Sequence, residues 1–68
     1  MKKGYNLYAI RTKHGKSQAD LAELLQTTQQ QYSKYERGIQ ELPARHIITI
    51  CKQFKVSSDY LLGLKEKE

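Results

Sequence analysis

The chain has 68 residues, twelve Lys and Arg against seven Asp and Glu, a formal charge of +5 and a pI near 9.5. A chain this short has room for one domain, residues 1–68, and buries only about 60% of the surface that its unfolded form exposes. It has too little bulk to enclose a deep, water-excluding cavity, which argues against an enzyme, while the positive charge favours an anionic partner.

The basic excess is concentrated: residues 1–38 carry seven Lys or Arg and three Asp or Glu, residues 39–68 five against four. Cys51 is the single cysteine and has no intramolecular partner for a disulfide. It reads as a small apolar helix residue. No charged-then-apolar leader and no apolar run of about 18 residues is present, so the expectation is a soluble, cytoplasmic protein.

Leu7, Ile10 and Arg11 share one helical face, which predicts a first helix from about Tyr5 to His14, closed by Gly15. Ser17 is an N-cap for a second helix, with Asp20 in its first turn and Leu21, Ala22 and Leu25 facing inward to about Gln26. Thr28 opens another capping sequence, Thr28-Gln29-Gln30-Gln31, for a third helix reaching Arg37 and closed by Gly38. On this helix Thr28, Tyr32, Tyr35 and Glu36 fall on one side; Gln30, Ser33, Lys34 and Arg37 fall opposite. Ile39 to Leu42 form a linker, and Pro43 suits the first turn of a fourth helix with Ile47, Ile50, Cys51 and Phe54 inward. Ser57 caps a short fifth helix bearing Tyr60, Leu61 and Leu64, before a charged tail, Lys65 to Glu68, expected to fray. The class is all-α, with no strand pattern and no internal repeat.

Two short helices joined by three or four residues, over 17–37, meet the geometric requirement of a helix-turn-helix, whose second helix enters the major groove of DNA. The outer face of the third helix has the matching chemistry. A glutamine amide both accepts from adenine N6 and donates to N7, and a lysine donates to guanine O6 and N7. Gln29, Gln30, Lys34 and Ser33 are therefore the candidate base readers. The bland alternative is that the three successive glutamines are a solvated, helix-tolerant surface.

Other chemistry finds little support. His14, His46 and Cys51 have no metal-ligand spacing, so no metal or other cofactor is expected, and His14 reads as exposed or phosphate-adjacent. No phosphate-binding glycine loop, nucleophile elbow or carboxylate pair is present, and the basic residues do not oppose a broad apolar face as in a membrane-surface helix.

The segments Ser17-Gln18-Ala19-Asp20-Leu21-Ala22-Glu23-Leu24-Leu25, Thr27-Thr28-Gln29-Gln30, Tyr35-Glu36-Arg37-Gly38 and Val56-Ser57-Ser58-Asp59-Tyr60-Leu61-Leu62-Gly63 occur in that order. Together they closely resemble the lambda-repressor-like helix-turn-helix family of phage repressors, Cro proteins and small bacterial regulators. The resemblance covers about residues 5–64 and implies a compact five-helix bundle that regulates transcription. It further implies that Gln18 meets a DNA phosphate and steadies Gln29, that Gln30 and Lys34 face bases, that Thr28 caps and touches phosphate, and that Arg11 pairs with Glu36. Ser17, Arg37 and Arg45 are the remaining phosphate candidates.

Three departures carry expectations. Gln26 stands where family members often have glycine, so the turn should differ slightly. Tyr32 stands where an aliphatic residue is common, so its hydroxyl needs a partner. Glu41, in the linker Gln40-Glu41-Leu42, weighs against phosphate contacts from that loop. Because one module reads too few base pairs to be selective, a homodimer on a roughly palindromic operator is expected, and no small-molecule ligand is expected. The region around Tyr60, Leu61 and Leu64 is the candidate dimer surface. The alternatives are an antitoxin-like module that holds a protein partner and a purely structural bundle.

Overall fold

A computed structural model describes residues 5–64. Five helices follow one another: α1 Leu7–Lys13, α2 Gln18–Leu24, α3 Gln29–Glu36, α4 Ala44–Phe54 and α5 Ser58–Leu61, with no strand among the described residues. None of these helices is long and apolar enough to cross a membrane. The predicted tail, Lys65 to Glu68, lies outside the described residues.

Local chemistry explains most boundaries. The Ser17 hydroxyl accepts from the Asp20 backbone N–H while the Asp20 carboxylate accepts from the Ser17 N–H, a reciprocal box that starts α2. Thr28 and Ser57 cap α3 and α5 through the N–H groups of Gln31 and Tyr60. Pro43 lies one position before α4 and not in its first turn: with extended backbone (ψ 152°) it offers its carbonyl to the N–H groups of His46 and Ile47. α1 begins at Leu7, two residues later than predicted, because Asn6 is tied elsewhere. Its N–H donates to the Leu61 carbonyl at 2.9 Å and its side-chain amide to the Tyr60 carbonyl at 2.6 Å, pinning the start of α1 to α5.

The core draws on every helix. Leu7 and Ile10 of α1, Leu21 and Ala22 of α2, Tyr32 and Tyr35 of α3, Ile50 and Phe54 of α4 and Leu61 of α5 are all buried, with Leu25, Leu42 and Val56 from the connections. Ile47 and Cys51 are half-buried against this core, and burial pushes the Cys51 thiol up. His46 is an inward residue that periodicity did not single out; its ring meets the edge of Tyr35 at 5.7 Å. Exposed His14 packs on Phe54 with ring centroids 4.8 Å apart. Leu61 is fully buried, so the proposed α5 surface loses it, whereas Leu64 is 72% exposed.

Helix ends are closed by residues in the left-handed region. Gly15, Gly38 and Gly63 adopt it without penalty, but Gln26 (φ 56°) and Lys55 (φ 57°) do so with a side chain. Gln26 sits between α2 and α3, where its N–H reaches the Glu23 carbonyl and that of Thr27 reaches Ala22. The turn therefore bears strain at Gln26. Gln26→Gly should relieve about 1–2 kcal/mol of left-handed strain against about 0.5–1 kcal/mol of added chain entropy. A net gain of about 0.5–1 kcal/mol in urea unfolding is expected; a loss would show that the Gln26 side chain contributes more than its strain costs.

Candidate nucleic-acid interface

Four residues separate α2 from α3, and α2 packs more extensively on α3 than on any other helix. The inner side of α3 carries the buried Tyr32 and Tyr35 and the half-buried Glu36; Gln29, Gln30, Lys34 and Arg37 are exposed. The predicted division of the helix into two faces therefore holds for Tyr32, Tyr35 and Glu36 but not for Thr28, which as the N-cap is exposed, and it leaves the polar face free.

Glu36 anchors that arrangement. Its carboxylate receives Arg11 Nε at 2.7 Å and Nη2 at 3.2 Å from α1, Gln18 Nε2 at 2.8 Å from α2, and the Tyr32 hydroxyl at 2.9 Å from its own helix. The Glu36 side chain is only 9% exposed. Burial alone would raise its pKa, but the hydrogen bonds from Arg11, Gln18 and Tyr32 and the charge of Arg11 outweigh it and hold the carboxyl below its ordinary value. The bond to Glu36 likewise raises the Arg11 guanidinium further. Burial, then the neighbouring Glu36 charge, pushes the Tyr32 phenol well up, so it remains a donor. Arg11 also donates Nη1 to the Lys16 carbonyl at 3.2 Å and lies 5.1 Å from the Tyr8 ring centroid. The expected Arg11–Glu36 pair and the hydroxyl partner of Tyr32 are thus parts of one junction. The donation by Gln18 was not anticipated; its only sequence signal was an amide opening α2 while a carboxylate closed α3.

Beside this junction Gln18, Gln29, Gln30, Ser33, Lys34 and Arg37 line one open depression. Five of the six come from α3 or its C-cap, and Gln18 is the first residue of α2. Ser17 and Thr28 are exposed at the starts of the two helices, where each hydroxyl accepts a capping N–H and keeps its own hydrogen to donate. Arg45 stands apart: it lines a different depression with Leu24, Leu25, Gln26, His46 and Thr49. The structure thus joins the candidate base readers to Gln18 and Arg37 but not to Arg45.

A compact helical unit whose second and third helices meet through a four-residue turn, with the outer face of the third left polar and open, is a helix-turn-helix domain. A family model described as helix-turn-helix matches residues 7–61. Two relatives, uncharacterized HTH-type transcriptional regulators of Rickettsia prowazekii (strain Madrid E) and Rickettsia conorii (strain ATCC VR-613 / Malish 7), are each 33% identical over 64 residues. Each alignment covers 93% of this chain but 49% and 51% of the respective relative, so the chain spans about half their length. The chain belongs to the lambda-repressor-like helix-turn-helix family.

The lowered pKa of Glu36 has a measurable consequence. A carboxyl whose folded pKa is depressed stabilises the fold above its unfolded value, about 4.3, and loses that contribution as pH falls through the lower folded value. Glu36→Gln should cost about 2 kcal/mol near neutral pH. In urea unfolding between pH 7 and pH 2, the gap between wild type and Glu36→Gln should stay constant to about pH 5 and narrow below about pH 4; a gap independent of pH would show that the charge of Glu36 stabilises nothing.

Proposed function

We propose that this chain is a sequence-specific, double-stranded DNA-binding transcriptional regulator, acting as a homodimer on a roughly palindromic operator with α3 in the major groove. The observation that carries the reading is the exposed row of Gln29, Gln30, Lys34 and Arg37 on α3, joined by Ser33 and Gln18 in one open depression. Amide and ammonium groups on a helix held by its opposite face are suited to the donor and acceptor pattern of base edges. Gln29 and Gln30, in the first turn, are the leading base readers, with Ser33 and Lys34 one turn on.

Phosphate contacts need cations, hydroxyls or amides but no base geometry. Arg37, Gln18 and the capping hydroxyls of Ser17 and Thr28 fill that role, with Arg45 a more distant contributor. The longest dimension of the described chain is 28 Å, shorter than the separation of about 34 Å between half-sites one DNA turn apart, which supports two copies rather than one. Leu64, exposed beside half-buried Tyr60, is the apolar group left at α5 for pairing them. Repression is the preferred regulatory outcome, because a bound dimer covering an operator needs no further partner to block it.

Selection of bound fragments from random duplex DNA at two salt concentrations tests the reading, and a symmetric motif is expected. Salt-sensitive binding with no motif would sink sequence recognition and leave a basic bundle to be tested for protein partners. Gln29→Ala should cost about 1–3 kcal/mol at one base position of that motif. Arg37→Ala should weaken all sequences alike and reduce the slope of log affinity against log salt by about 1. Equal losses on specific and random DNA for Gln29→Ala would remove Gln29 from the base readers.

A further inference from the structure

A carboxylate only accepts hydrogen bonds, whereas a glutamine amide has a donating and an accepting end. Glu36 Oε1 receives Gln18 Nε2 at 2.8 Å and Arg11 Nη2 at 3.2 Å, while Oε2 receives Arg11 Nε and the Tyr32 hydroxyl. Facing an acceptor, the Gln18 amide is confined to one of its two flips: nitrogen toward Glu36, carbonyl Oε1 and the second N–H away. The opposite flip would set two oxygens against each other at a nearly buried charge. Half-buried Gln18 and exposed Gln29 line the same depression.

We infer that Glu36 is a positioning residue for base recognition: by fixing the flip of Gln18 it presents a carbonyl oxygen to Gln29 and so decides which end of the Gln29 amide meets which atom of the base. This rests on the proposed major-groove reading of α3. With Gln18 Oε1 taking one Gln29 N–H, the second N–H and the Gln29 carbonyl are left to pair with adenine N7 and N6. If Gln18 is reversed, it offers N–H groups to Gln29, whose amide turns over. The Gln29 carbonyl then opposes the N7 acceptor, and the preference for adenine is lost.

The test applies the random-duplex selection to wild type, Glu36→Gln and Tyr32→Phe, with helical content measured on each. In Glu36→Gln the new amide keeps its oxygen for Arg11 and turns its nitrogen to Gln18, which reverses; Tyr32→Phe removes a donor from Oε2 and leaves the Gln18 bond to Oε1 in place. Glu36→Gln should lose about tenfold in adenine preference at the position read by Gln29, with the other positions of the motif retained. Tyr32→Phe should be less stable yet select the wild-type motif. An unchanged motif in Glu36→Gln overturns the inference, as does the same loss in both variants, the mark of general loosening. Absence of any motif for wild type overturns the proposed function and this inference with it. If Glu36→Gln loses its helical signal, the ¹⁵N spectrum of the wild-type chain decides: one Gln18 side-chain amide proton should be displaced downfield and exchange slowly, and two equivalent, freely exchanging protons overturn the inference.

Discussion

The carboxylate of Glu36, shared among Arg11, Gln18 and Tyr32, ties three helices to one point. Removing a charge from water costs several kcal/mol, recovered only when donors surround it in good geometry. Here two guanidinium nitrogens, an amide and a phenol do so, and among the described residues no buried side-chain nitrogen or oxygen lacks a partner. The bidentate Arg11 contact adds direction as well as energy. Position matters more than net stabilisation: the junction sets where the end of α3 lies relative to α1 and the first residue of α2.

α3 depends on such anchoring. A helix of eight residues is too short to persist in water by itself, since nucleation is costly and few bonds repay it. Its order comes from tertiary contacts: Tyr32 and Tyr35 in the core, Glu36 in the junction and Thr28 at its cap. Because these lie on one side or at the end, Gln29, Gln30, Lys34 and Arg37 owe the fold little. A rigid inner face and an uncommitted outer face suit the recognition role proposed for α3, since ordering side chains at binding is costly and an ordered backbone lowers that cost.

Tyr32 shows how a departure from a common pattern is absorbed. Its ring is fully buried, and its hydroxyl would be costly there without an acceptor. Glu36 lies four residues on, one helical turn away, within reach of the phenol at 2.9 Å. Gln26 is accommodated differently: its backbone is left-handed and the strain is borne, because the hydrogen bonds that close α2 require that conformation.

The five-helix order, the capping serines and threonine, the glycine stops and the two faces of α3 were legible in the chain because each follows from local rules of period, cap and backbone freedom. The polar residues of α3 were legible for the same reason: a helix of known phase declares what shares a side. Local rules could not place Asn6 against α5, bury His46 beside Tyr35, withdraw Leu61 from the surface or separate Arg45 from the α3 group. Those facts depend on how helices distant in sequence approach one another. The direction of the Gln18 amide is the sharpest instance: local pattern places an amide at the start of α2 and a carboxylate at the end of α3, but it takes packing, which brings residues 18 positions apart to 2.8 Å, to turn the nitrogen inward.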